Sequence, residues 1–381
     1  MHRDLHDTAT AWRRHLHAHP ELSRHEAGTA EFVCKTLQEL GIPFVAGVGG
    51  YGVVATLSRG QSNRSVGLRA DMDALPILEM TGLPHASTRP GVMHACGHDG
   101  HTASLLAAGA LLQSDPSWSG TVQLVFQPAE EGAGGAKAML ADGLFSRFPM
   151  ESIYGYHNWP GLEAGTLAVH DGAVMAAGAR VEIVLTGHSG HAALPHLTHD
   201  PVLAAGHLLV ALQSLVARNT DPLQSAVVSI CTMQAGVAMN QIPDQATLGG
   251  TFRTHLPEVR DMIEAGIRRV SAGIGQAMGV DVDVDVHHGV SVTRNTLAEA
   301  ALAAEAGASA GLPVVRNLPP SMAGEDFGFY LEEKPGAFAW IGNGPATPGS
   351  ELHNAGYDFN DDILPAAATW LAATAKRALS A

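Results

Sequence analysis

Cysteine is scarce in this chain of 381 residues. Cys34, Cys96 and Cys231 lie far apart with no C-x-x-C pair, which excludes a disulfide framework and a zinc ribbon and suits a reducing, cytoplasmic setting. Basic residues are also few: 22 Lys and Arg against 37 Asp and Glu leave a formal charge of −15, which argues against a phosphate-binding surface and against nucleic acid as a partner. No window of about 18 residues is uninterruptedly apolar, so no membrane span is expected. Nor does the start, with Arg3, Asp4 and His6, resemble the basic and then apolar regions of a secretory leader. What is abundant is apolar residues (46%), glycine (43) and histidine (21), a composition that predicts a globular protein of two domains, or of one large domain with an insertion. Histidine is the commonest protein metal ligand, so the 21 need sorting.

Residues 8–40 read as helical, interrupted at Pro20 and ended by Gly41 and Pro43. Short apolar strands then alternate with helices: strands over 52–57, 65–70 and 121–127, and a helix over about 102–112, the pattern of an α/β sheet. A second unit stands out between about 176 and 290, with strands over 181–186, 226–234, 246–254 and 280–286 and helices over 201–217 and 257–278. That β-α-β-β-α-β order is the ferredoxin-like one. The chain afterwards returns to α/β character, with helices over about 297–310 and 364–379. The expectation is an α/β protein with one discontinuous domain, 1–175 with 292–381, interrupted by an inserted α+β domain, 176–291.

The densest chemical cluster is His94-Ala95-Cys96-Gly97-His98-Asp99-Gly100-His101. In an extended segment Cys96 and His98 share a face and can reach one metal ion, whereas in a helix they diverge by about 200°. Asp99 has a plain alternative as a helix cap, and His94 and His101 as structural or supporting side chains. Glu130 and Glu131 follow an apolar strand. Adjacent carboxylates point in different directions, so one can bind metal while the other faces a metal-activated water. Alone, the pair reads as a solvated acidic turn; its place at the end of an apolar strand, with the Cys/His cluster upstream, favours the functional reading. Asp71 and Asp73 end a third strand, and His157-Asn158 and His353-Asn354 add two His-Asn pairs. Together these segments supply the N, O and S donors of a divalent transition-metal site. His191 lies in the glycine-rich stretch Gly187-His188-Ser189-Gly190-His191, where a surface-loop role is the plain alternative, as a structural ion pair is for Arg253.

The strings RADMDALP (69–76), MHACGHDGH (93–101), QPAEEG (127–132), HNWPG (157–161), GHAALPH (190–196), MAGEDF (322–327) and LHN with YDFND (352–361) resemble the amidohydrolase branch of the aminoacylase/carboxypeptidase metallopeptidase family. That branch holds hippurate hydrolases, N-acyl-amino-acid deacetylases and indoleacetyl-amino-acid hydrolases. The resemblance runs from Arg13-Arg14-His15 and His19-Pro20-Glu21-Leu22 to Asp361, in the family's order. It departs at His288-Gly289-Val290-Ser291, where the branch often carries an aromatic residue and a proline.

The resemblance implies a catalytic α/β/α domain with an inserted ferredoxin-like lid and dimerisation domain. It implies two divalent ions per subunit (zinc, manganese, cobalt or nickel) held by Cys96, His98, Glu131, His157 and His353, with Glu130 as general base and Asp71 and Asp73 in support. His191 would stabilise the oxyanion, and Asn240 and Arg253 would bind the substrate's carboxylate. The implied reaction is hydrolysis of an N-acyl amino acid, a small-molecule substrate, to a carboxylic acid and a free amino acid by a homodimer or homotetramer. Dipeptide cleavage, hydrolytic removal of an amine from an aromatic ring, and a non-catalytic metal-binding role are the alternatives. The last has no use for Glu130.

Overall fold

The structure, a computed structural model, describes residues 3–132 and 134–380. The chain divides into two compact units. The first comprises Met1–Val174, Thr293–Pro320 and Asp326–Ala381, and the second Met175–Val292 with Ser321–Glu325. The expected discontinuous domain included Ser321–Glu325, but this segment falls with the second unit because its backbone is tied there. Ala176 N–H donates to the Ala323 carbonyl at 2.9 Å, Met175 bridges Ser321, and His255 Nε2 donates to the Ser321 carbonyl at 2.8 Å.

The first unit is built on an eight-stranded sheet in the order Phe44–Val48, Gly52–Arg59, Gly120–Gln127, Ser65–Asp71, Ser152–Pro160, Gly336–Gly344, Leu167–Val169 and Val314–Arg316. Its four central strands, Gly120–Gln127 through Gly336–Gly344, are mutually parallel, and their near-continuous burial is what a sheet covered on both faces requires. Parallel strands share one carboxyl end, where sheets of this kind bind ligands. That end here carries Asp71, the turn after Gln127, and His157.

The helix expected over 102–112 begins earlier, at His98, and runs to Ser114. It is buried without a break from His98 to Gly109, so it shows no apolar stripe and its polar first turn is enclosed with the rest. Gly97 precedes it in the left-handed conformation, φ 94°. There a Cβ would meet Asn158 Oδ1 at 2.3 Å and the Tyr357 hydroxyl at 2.5 Å, so only glycine fits.

The second unit has a four-stranded antiparallel sheet in the order Ala226–Ala235, Gln245–Thr254, Ala177–Thr186, Asp281–His288, the ferredoxin-like arrangement. Helices Pro201–Ser214 and Pro257–Met278 contribute Leu208, Leu212, Ile263 and Ile267 to a core shared with Val181, Ile183, Leu248 and Phe252. Both helices start on proline at a first-turn position. Asp200 caps the former by accepting from Val202 and Leu203 N–H, and left-handed Gly279 ends the latter. The stretch Pro201–Asn219 is long and apolar enough to cross a bilayer on length and composition alone, but Ala204, Ala205, Leu208, Leu212 and Leu215 within it are spent on this core. A short two-stranded antiparallel ribbon pairs Gly190–His191 with Gln241–Ile242.

Candidate metal centre

Two carboxylates at the sheet's carboxyl end organise the site. Asp71 is fully buried, accepts from Arg69 Nη1 at 2.7 Å and from His101 Nδ1 at 2.6 Å, and its carbonyl takes the Thr102 hydroxyl at 2.8 Å. Asp73 accepts the backbone N–H groups of both Glu130 and Glu131 at 3.0 Å and the Ser23 hydroxyl at 2.6 Å. Asp73 thereby fixes the turn that presents the two glutamates. Arg69, buried on its strand, spans to Gln127 Oε1 at 2.8 Å and Asp326 Oδ1 at 3.0 Å, and Asp326 N–H points to Glu130 Oε1 at 3.4 Å.

Cys96, His98 and His157 offer ligand atoms all within 4.8 Å of one another, as do Cys96, Glu131 and His353, and His98, Glu130 and Glu131. Cys96 Sγ lies 3.3 Å from His157 Nε2, and His353 Nε2 lies 3.2 Å from Glu131 Oε1. Six side chains from four distant segments thus converge. Cys96 and His98 meet through the left-handed turn at Gly97 and the first helical residue after it, not through the extended segment that their spacing suggested. His353 is itself left-handed, φ 62°, and its N–H is tied to the carbonyl of Ala95, next to Cys96. An outlier of this kind in a non-glycine residue often marks a functional constraint.

The donors fit divalent cations. His157 Nδ1 donates to the Asn158 carbonyl at 2.7 Å, which leaves Nε2 as the lone-pair nitrogen facing Cys96. His98 Nδ1 lies 3.3 Å from Asp73. Its buried Nε2 stands 3.8 Å from Asp71 and 3.9 Å from Glu131, with no hydrogen-bond partner among the described residues. Charge points the same way. Burial, then Glu131, Glu130 and Asp71, hold the Cys96 thiol well above its ordinary pKa. Burial opposes the His98 imidazolium, but Asp71, Asp73 and Glu131 outweigh it and push its pKa up to about 10. So many acids around a buried thiol call for positive charge, and a bound cation deprotonates such a thiol.

His101 forms a further group of candidate donors with Asp71 and His98, but both its ring nitrogens are already engaged: Nδ1 lies 2.6 Å from Asp71 Oδ1, and Nε2 lies 2.8 Å from Asn158 Oδ1 and 3.1 Å from Asn158 N. His94 is buried, and burial pushes its pKa down to about 4, keeping it neutral. Asp99, at the helix start, accepts from His17 Nδ1 at 2.8 Å and supports the site from behind. Asn158, Arg69 and Asp326 escaped assignment from sequence although all three sit inside quoted motifs. The signal available was a charged or amide residue inside an otherwise buried strand or beside a site segment.

His191, Asn240 and Arg253 belong to the second unit. His191 is exposed, opposite Gln241, and its Nδ1 accepts Ala193 N–H at 3.0 Å, so Nε2 carries the proton. Asn240 immediately precedes the strand Gln241–Ile242, its carbonyl taking Ala192 N–H at 3.0 Å. Arg253 lies on Gln245–Thr254 with its guanidinium against Gly178, where a Cβ would meet Nη1 at 2.2 Å.

The sequence profile of Peptidase family M20/M25/M40 matches residues 67–377. The chain belongs to this family. Among M20 relatives, a hippurate hydrolase of Campylobacter jejuni is 42% identical over 96% of this chain and 95% of its own length. An N-acetyl-L-cysteine deacetylase of Bacillus subtilis is 40% identical over 96% and 87%, and an IAA-amino acid hydrolase of Arabidopsis thaliana is 37% identical over 99% and 88%. A crystal structure of a dinuclear metal-binding M20 peptidase from Bacillus subtilis superposes with a TM-score of 0.89 at 36% identity, covering 100% of this chain and 99% of that one. The expected family branch and fold are therefore met: an M20 metal-dependent amidohydrolase with a catalytic α/β/α domain and a second, inserted domain, served by two divalent metal ions.

Proposed function

We propose that this amidohydrolase cleaves N-acyl amino acids, of the hippurate or N-acetyl amino acid kind, to a carboxylic acid and a free amino acid. The observation that carries the reading is Glu130. Its carboxylate groups with His98 and Glu131 within 4.8 Å, while Cys96, His98, Glu131, His157 and His353 offer five further donors; in this reading those five hold the ions and Glu130 is left to serve the water. When bound, the two ions, whether zinc, manganese, cobalt or nickel, polarise the scissile carbonyl and acidify water. Glu130 takes the proton of the attacking water and delivers it to the leaving nitrogen, with Asp73 holding the turn and Asp326 N–H orienting the carboxylate. His191 Nε2–H donates to the oxyanion, and Asn240 and the planar fork of Arg253 bind the substrate's free carboxylate. The names of the relatives support this substrate class.

The test is a panel of hippurate, N-acetyl amino acids, indoleacetyl conjugates, dipeptides and aromatic amines, run with and without chelator on enzyme of measured metal content. Turnover of the acylated amino acids that chelator abolishes is expected. Turnover confined to dipeptides or amines would replace the substrate assignment, and none on any amide with metal bound would favour a non-catalytic role.

A homodimer, or a homotetramer built from it, is supported by the two edges of the second unit's sheet. Asp281–His288 turns Asp281, Asp283, Asp285 and His287 outward, the charges that block strand addition. Ala226–Ala235 carries no charge and exposes Val227 and Met233, so it is the edge suited to pairing with a second copy. The thiols of Cys34, Cys96 and Cys231 are all free, as a cytoplasmic setting requires.

A further inference from the structure

The turn from Pro128 to Gly132 carries both the proposed base and a proposed metal ligand, and its conformation goes against its own sequence. Ala129 is left-handed, φ 56°, a conformation that the Cβ of an alanine disfavours. The surroundings hold it there. Its carbonyl accepts Gly135 N–H at 2.9 Å, and its N–H donates to Glu26 Oε1 at 2.8 Å. Gly135 itself leaves no room for movement, since a Cβ on it would lie 1.6 Å from the Pro128 carbonyl oxygen.

Glu26 occupies the cap position of helix Ala27–Glu39, where a side-chain oxygen ordinarily accepts from the first turn, yet it makes no such bond. Glu21 does that work instead, with Oε2 accepting Thr29 N–H at 2.8 Å. The fully buried Glu26 carboxyl is thereby freed to reach across to Ala129. Three residues earlier, Ser23 donates to Asp73, the acceptor of the next two N–H groups of the same turn. One short segment of the chain therefore grips the turn from Ala129 to Glu131, directly at its start and through Asp73 beyond it.

We propose that Glu26 is a positioning residue that holds Ala129 left-handed and so aims the Glu130 and Glu131 carboxylates, an inference that rests on Glu130 being the base. Glu26→Gln keeps an acceptor at Oε1; Glu26→Leu keeps the bulk and removes it. Glu26→Leu should lower kcat roughly 10- to 100-fold with KM within about threefold, and weaken binding of Zn²⁺ alone, titrated calorimetrically, by a comparable factor. Glu26→Gln should stay within about threefold of wild type on both readouts. Adding Ala129→Gly to Glu26→Leu removes the steric cost of the left-handed turn and should recover part of the loss. A mere packing role predicts no such recovery.

The proposal is overturned if Glu26→Leu leaves kcat and metal affinity unchanged, if its loss only tracks the unfolded fraction, or if Glu26→Gln loses as much as Glu26→Leu. Should Glu26→Leu not fold, the Gln variant decides: loss of kcat there overturns the proposal and retention supports it. Glu130→Gln run alongside keeps the two readings apart. Turnover retained in that variant defeats the base assignment, while the metal titration still reads the grip of Glu26 on the turn.

Discussion

In the first unit Cys96, His98, His157, Asp71 and Asp73 are almost wholly enclosed, with Asp71 held by Arg69 and His101, Asp73 by Ser23, and His157 by the Asn158 carbonyl. In the second unit His191 and Asn240 stand exposed on and beside a two-stranded ribbon, and Arg253 is half-buried on a sheet strand. Charges buried in a network shift one another's pKa values, and removing one member leaves the rest unpaired. Exposed groups on a short ribbon carry little of the fold. The first unit's residues should therefore be hard to change without disturbing metal binding or stability, and the second unit's should be separable, with catalysis altered and folding intact.

The sharpest break in that comparison is Glu130→Gln, because Glu130 is enclosed and is proposed to serve as the base and not as a ligand. It should retain two metal ions while kcat falls roughly 10²- to 10⁴-fold. Near-normal turnover with metal bound would remove Glu130 from the chemistry. Arg253→Ala comes next. It should raise KM for free-carboxylate substrates by roughly 10- to 100-fold, as loss of a charged hydrogen-bonded pair does, and leave their esters little changed. Equal losses on acid and ester would show that Arg253 is not the anchor. Smaller again, Met233→Lys puts a charge on the uncharged edge and should weaken self-association about tenfold by sedimentation. An unchanged dimer would move the interface elsewhere.

Much of the fold could be read in advance, for physical reasons that differ by element. Helix Pro257–Met278 was placed to the residue because proline opens it, Gly279 closes it and its amphipathic stripe is clear. The helix at His98 was placed four residues late, since His98, Asp99 and His101 look like a loop until burial encloses them. The donors were visible as residue types at strand ends. Their convergence was not, because it depends on the left-handed turns at Gly97, Ala129 and His353, and only the glycine among these announces such a turn. Asp326 was hidden for a different reason: its role is set by Arg69 and Gln127, distant in sequence, and by burial that pushes its pKa up to about 6.

The network behind the ligands offers the finest test of the enclosed half of the comparison. His17 is buried between Asp99 at 2.8 Å and Glu79 at 3.3 Å; burial opposes its charge, but the two acids prevail and push its pKa up from 6.5 to about 9. A raised folded pKa means that the stabilisation is complete below about pH 6.5 and is lost as pH climbs through about 9. Glu79, drawn down from 4.5 to about 2 by His17 and its other hydrogen bonds despite partial burial, has the opposite sign: its contribution is present above about pH 4.5 and fades as pH falls through about 2. The pair therefore contributes fully only between about pH 4.5 and 6.5. His17→Gln removes the charged partner, so the gap in Tm between wild type and variant should be widest in that window and narrow by roughly 2 °C on going to about pH 9.5. Parallel Tm curves across that range would mean that His17 is neutral in the folded protein and that the enclosed network is held by shape and hydrogen bonds, not by charge.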